Sequence, residues 1–166
     1  MDEPVINPYQ SPTSDLAGHE SSDDPNRPSR PAYALYGFGS AALAAALGSL
    51  LAGGIVMALN YRRLGRTGAA LHALLWSTVA TVLLIVVCMM IPDEVHIPNA
   101  AFLISQIGGM YYTAKSLQGP AIESHQRKGG SLASAWRAAG IGILTGIVVA
   151  VVFVGILMVM MPAVEE

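Results

Sequence analysis

From Tyr33 onward the chain is filled by four long apolar stretches, and its basic residues collect in only two of the connections between them. The stretches are 34–59, 69–91, 97–117 and 138–161, each close to the roughly 20 residues a helix needs to cross a hydrocarbon core of about 30 Å. Between Arg66 and Asp93 there is no Asp, Glu, Lys or Arg, and none falls between Arg137 and Glu165. Such gaps leave no element to form a water-facing shell around a soluble core. With 53% hydrophobic and 12% charged residues, against about 25% charged in an ordinary soluble domain, the composition agrees. The expected fold is all-α, an integral membrane four-helix bundle built as two helical hairpins, with its transmembrane domain over 33–162.

Residues 1–32 read as a disordered, acidic, Pro-rich tail, with six prolines among Ser, Asp and Asn and almost nothing apolar to pack. The tail is acidic and the apolar stretch after it exceeds the h-region of a signal peptide, so the first stretch is expected to stay as an anchor. Residues 163–166 form a short C-terminal tail. Pro92 closes the second stretch and Pro162 the fourth. The third stretch is the most polar, with Asn99, Ser105, Gln106 and the Gly108–Gly109 pair. It is read as a span, with a re-entrant or interfacial helix as the alternative.

Orientation follows from Lys and Arg in short loops. Arg62, Arg63 and Arg66 lie between stretches one and two, and Lys115, Arg127, Lys128 and Arg137 at or between three and four. That is seven of the nine basic residues, while the loop Pro92–His96 has none. Both basic loops are therefore expected in the cytoplasm, with N-out and C-out ends in a bacterial inner membrane. Tyr33 and Tyr36 would mark the outer interface, and Tyr61, Tyr111, Tyr112 and Trp136 the inner one. Trp76 is read as a packing residue.

Helices in lipid associate through close backbone approach at small residues. Every stretch carries such a row at i, i+4 spacing: Ser40, Ala44, Gly48, Ala52 beside Ala41, Ala45, Ser49, Gly53; then Ala69, Ala73, Ser77, Thr81; Ala101, Ser105, Gly109, Thr113; and Ala138, Gly142, Gly146, Ala150. The helix-packing set is read as Gly48, Ala52, Gly53, Ser77, Ser105, Gly109, Gly142 and Gly146. Packing within the chain is favoured over dimerisation, and a homo-oligomer through the same faces stays open.

Candidate chemistry is sparse. No Lys, Arg, Asp or Glu lies at a span centre, where an ionisable residue would signal function. His72 reads as an interfacial anchor. Gln106 would seek a hydrogen bond from Ser77, Thr78 or Thr81, or line a polar path with Ser77 and Thr81. Cys88 is alone, so neither an intramolecular disulfide nor a cysteine metal site can form, and it reads as apolar filler. Glu123 and His125 lack the ligand number of a metal site and read as part of a solvated basic loop, Gln118–Arg137, with a sharp turn at Gly129–Gly130. No catalytic, cofactor-binding or metal-binding residues and no nucleic-acid patch are expected.

Two segments resemble known patterns. Asn7-Pro8-Tyr9-Gln10-Ser11-Pro12 resembles a short N-terminal tag recurring in many otherwise unrelated bacterial membrane proteins of one lineage. Leu51-Ala52-Gly53-Gly54, Asn60-Tyr61-Arg62-Arg63-Leu64-Gly65, Gln118-Gly119, His125, Gly129–Gly130, Ser134 and Trp136 resemble elements of a family of small, uncharacterised bacterial multipass proteins. That resemblance implies a four-helix membrane topology and no activity or cofactor. The leading functional expectation is a non-enzymatic structural, accessory or scaffolding membrane protein. Its partners would be the lipid bilayer and a protein met through the tail or the small-residue faces. The alternative is a subunit of a small transporter or channel with a polar path near Gln106, the Gly108–Gly109 pair breaking its helix.

Overall fold

The computed structural model describes residues 31–92, 94–95 and 98–160. The tail before Pro31, with its Asn7–Pro12 tag, and the last six residues lie outside them. The described chain is all-helical: α1 (Phe38–Leu47), α2 (Leu50–Arg63), α3 (Thr67–Met90), α4 (Asn99–Arg127) and α5 (Ala135–Met160).

The first apolar stretch departs from expectation. It is not one helix but two, α1 and α2, joined at Gly48–Ser49. The pair folds back on itself. The Tyr36 N–H donates to Asn60 Oδ1 at 2.7 Å and Asn60 Nδ2 donates to the Tyr36 carbonyl at 2.8 Å, tying the start of α1 to the end of α2. Laid end to end, helices of 10 and 14 residues would hold those groups about 36 Å apart. They are therefore antiparallel arms of a helical hairpin. The arms close on small side chains, Ala41, Ala44 and Ala45 from α1 and Ala52 from α2, all buried. Neither arm alone, at about 15 and 21 Å, has the length of a span.

The hairpin is the central post of the molecule. α3 packs along α2, α4 and α5 pack along α1, and α5 and α4 also touch α2. α3 and α4 do not pack on each other, nor do α4 and α5, so the expected pair of two-helix hairpins gives way to three long helices around one short hairpin. α3 and α5 are long and apolar enough to cross a membrane, and only 11% of the most apolar stretch of each is buried. α4 is continuous over 29 residues, and Gly108–Gly109 does not break it.

One end of the molecule, the base, gathers the hairpin's open end, the α2–α3 turn and the α4–α5 connection. Leu35 pairs with the α4–α5 connection as an isolated parallel bridge, its N–H on the Ser131 carbonyl at 3.2 Å and its carbonyl taking the Ala133 N–H at 2.8 Å. Arg63 donates to the Ala34 carbonyl and lies over the Tyr36 ring at 5.2 Å. Tyr33 and Tyr36 thus share an end with Arg62, Arg63 and Arg66, which corrects their expected placement opposite the basic connections. The opposite, far end holds the α3–α4 connection and the end of α5.

Candidate functional site

Four features build the polar interior: a clasp at the base, a strained hairpin tip, and two cavities beside them. The clasp joins Asn60 and Gln118, both almost fully buried. Besides holding the Tyr36 backbone, Asn60 Nδ2 donates to Gln118 Oε1 at 2.9 Å, and Gln118 Nε2 donates to the Met57 carbonyl at 2.8 Å. A primary amide can pair a backbone N–H and carbonyl at once, as a neighbouring strand would, and Asn60 does so for Tyr36. Gln118 lies in α4, which runs ten residues further into the expected loop. Its buried residues Gln118, Ile122 and His125 recur at helical spacing, facing the hairpin's open end. His125 is buried, stacked on Tyr33 at 5.0 Å and within 3.2 Å of the Ser131 carbonyl through Nε2. This corrects its reading as part of a solvated loop. The turn at Gly129–Gly130 forms as expected, with Gly129 at φ 76°.

At the tip, Ser49 adopts φ 151°, a region that side-chain-bearing residues rarely enter, and its buried Oγ has no hydrogen-bond partner. The α2 N-terminus has no cap from Ser49. Thr81 of α3 supplies one instead, its Oγ1 accepting the Leu51 N–H at 2.9 Å while donating to the Ser77 carbonyl at 2.8 Å. Ser77 in turn donates to the Leu74 carbonyl at 3.0 Å. Both hydroxyls are thus engaged in helix and hairpin structure, and neither bonds Gln106.

The expected packing residues divide. A Cβ at Gly48 would overlap the Gly142 carbonyl oxygen, one at Gly142 would lie 2.9 Å from the Ala44 carbonyl oxygen, and one at Gly146 would meet Gly48 Cα at 3.0 Å. Gly53 is covered by Met110, Ala52 is fully buried, and Gly54 sits directly against Ser77. On α4 the row fails: Ser105 is exposed and nothing lies within 4 Å of a Cβ at Gly109. Among the described residues their helix has no protein neighbour on that side, so Ser105 and Gly109 do not pack the described helices together.

A cavity of about 830 Å³ opens above the tip toward the far end, bounded by Gly48, Ser49, Thr81, Cys88, Asn99 and Gln106 among others. A second, about 740 Å³, is the groove between α3 and α4, floored by Gly54, Met57 and Tyr61 of α2. Leu84, Phe102 and Gln106 line both. Trp76, expected to pack, is largely exposed along this groove, as is His72. Cys88 is likewise exposed. In the sequence Asn60 and Gln118 stand out as polar residues flanking apolar stretches and as elements of the family resemblance, with nothing to show that they meet.

No family model, curated protein or solved structure matches the chain.

Proposed function

We propose that this chain is a multipass integral protein of the bacterial cytoplasmic membrane, with three crossings, α3, α4 and α5, and α1–α2 as a re-entrant hairpin. The observation that carries this reading is the bare apolar surface of α3 and α5: Leu83, Val87, Leu144, Val151 and Val159 are exposed along them, a surface that lipid would cover. α4 returns the chain from the far end to the base between them. Arg62, Arg63, Arg66, Arg127, Lys128 and Arg137 cluster at or beside the base, so the base is cytoplasmic by the distribution of positive charge. With three crossings and the hairpin dipping from that side, Tyr33 lies on the cytoplasmic side and the far end of α5 on the outer side. This replaces the N-out, C-out arrangement.

Its work is accessory or scaffolding rather than enzymatic. The buried amides and hydroxyls of Asn60, Gln118, Ser77 and Thr81 are bound to one another and to backbone, which supports a role in shape. Extraction at alkaline pH tests membrane integration: release into the supernatant would refute it. Co-purification in mild detergent, with and without residues 1–32, tests partner recruitment; an unchanged set of partners would remove the tail from that role.

A second reading, a subunit of a small transporter or channel, is favoured by one observation: Gln106 lines both cavities beside the hairpin tip. Solute flux in liposomes should then fall for Gln106→Leu, and flux insensitive to that change would end the reading.

A further inference from the structure

The groove between α3 and α4 is walled by small residues on both sides, Ala69 and Ala73 facing Ser105, Gly109 and Thr113. Among the described residues no protein element fills it, and α3 and α4 stay apart along it. It extends on α4 from Phe102 to Leu117, about 22 Å of helix, which suits a long acyl chain lying parallel to the helices. Its polarity is uneven along its length. Toward the tip it carries no ionisable side chain, its polar residues there being Ser77, Ser105 and Gln106. At the base, His72 and Tyr61 line it, and the exposed Arg66, the residue just before α3, falls at helical spacing from Ala69 and Ala73 on the groove side of that helix.

We infer that this groove binds one anionic phospholipid of the cytoplasmic leaflet, its acyl chain between α3 and α4 and its phosphate at Arg66 and His72. The inference rests on the membrane reading above. The charge at the mouth selects the headgroup, since basic pockets between helices on the cytoplasmic side hold anionic lipids. The width of the groove selects the chain: without side chains at Gly109 and with Ala at 69 and 73, a methylene chain can reach the α2 floor.

The test uses the full-length protein, delipidated in mild detergent, with thermal unfolding followed as phosphatidylglycerol or phosphatidylcholine of identical chains is added. A ligand that binds only the folded state raises the melting temperature with concentration. Phosphatidylglycerol should raise it more than phosphatidylcholine does, and glycerol 3-phosphate, a headgroup without chains, should leave it unmoved. The double change Arg66→Gln and His72→Gln should erase the difference between the lipids. Gly109→Trp should abolish the response to both by filling the groove. Gly108→Trp, beside it but outside the groove, should keep the response. Equal shifts from the two lipids in the wild type would overturn the inference, as would a full response from Gly109→Trp. A dimer of the wild type that Gly109→Trp converts to monomer would assign the groove to a second copy instead. A protein that resists alkaline extraction yet shows no lipid preference would lose this inference and keep its place in the membrane.

Discussion

Asn60 and Gln118 bring two amides into the driest part of the base, and together they hold the backbone of Tyr36 and the carbonyl of Met57. Buried amides are costly when unpaired, so this cluster stabilises only as a set. Asn60→Leu removes one member and strands the rest. It should lower stability by about 2–4 kcal/mol, read as thermal unfolding in detergent. Asn60→Asp should be at least as harmful, because a carboxylate would face two acceptors, the Tyr36 carbonyl and Gln118 Oε1. A neutral result for Asp would show that shape rather than hydrogen bonding holds the clasp. Ser49 makes the opposite case. Its φ of 151° and its unpartnered Oγ both count against the residue present, so Ser49→Gly should raise stability by about 1 kcal/mol in the same measurement. Neither residue's role could be read from the sequence. Asn60 looks like the polar end of a span, and the conformation of Ser49 exists only because the hairpin reverses there.

At the scale of elements, α1 and α2 show where a hydropathy reading stops. Twenty-six uncharged residues from 34 to 59 have the length and composition of a crossing, and a window sum is the same whether the chain runs straight or doubles back. The Gly48–Ser49 pair was visible, yet glycine and serine also sit inside ordinary small-residue rows. What reverses the chain is contact: Thr81 caps α2 from another helix, and Gly142 and Gly146 let α5 press against the tip. The small-residue rows were legible in α2, α3 and α5. On α4 the same spacing marks a groove, because periodicity identifies a face and says nothing of its neighbour. Gly146→Leu should therefore force α5 from the hairpin, lowering stability by about 1–3 kcal/mol and speeding proteolysis. Gly155→Leu, with nothing within 4 Å of its Cβ, should change neither. Equal effects at the two sites would deny the tip its contact with α5.

For the whole molecule, the sharpest prediction concerns sidedness. In a Cys88→Ser background, single cysteines at Ala32, Gly65 and Gly129 should react with an impermeant thiol reagent only from the cytoplasmic side. A cysteine at Glu94 should react only from outside. Reaction of Ala32 and Glu94 from the same side would restore four crossings and an external N-terminus. The sequence by itself determined the all-helical class, the apolar character of α3 and α5, and the collection of basic residues in two connections. All three depend on local composition and spacing, which a linear chain carries in full. Only the tertiary structure decided that the first stretch turns back, that Tyr33 joins the basic end, and that α3 and α4 part to leave a groove. Those outcomes depend on pairs far apart in the chain, such as Tyr36 with Asn60 and Asn60 with Gln118. Hydrogen bonds between groups 24 and 58 residues apart leave no periodic trace in the sequence.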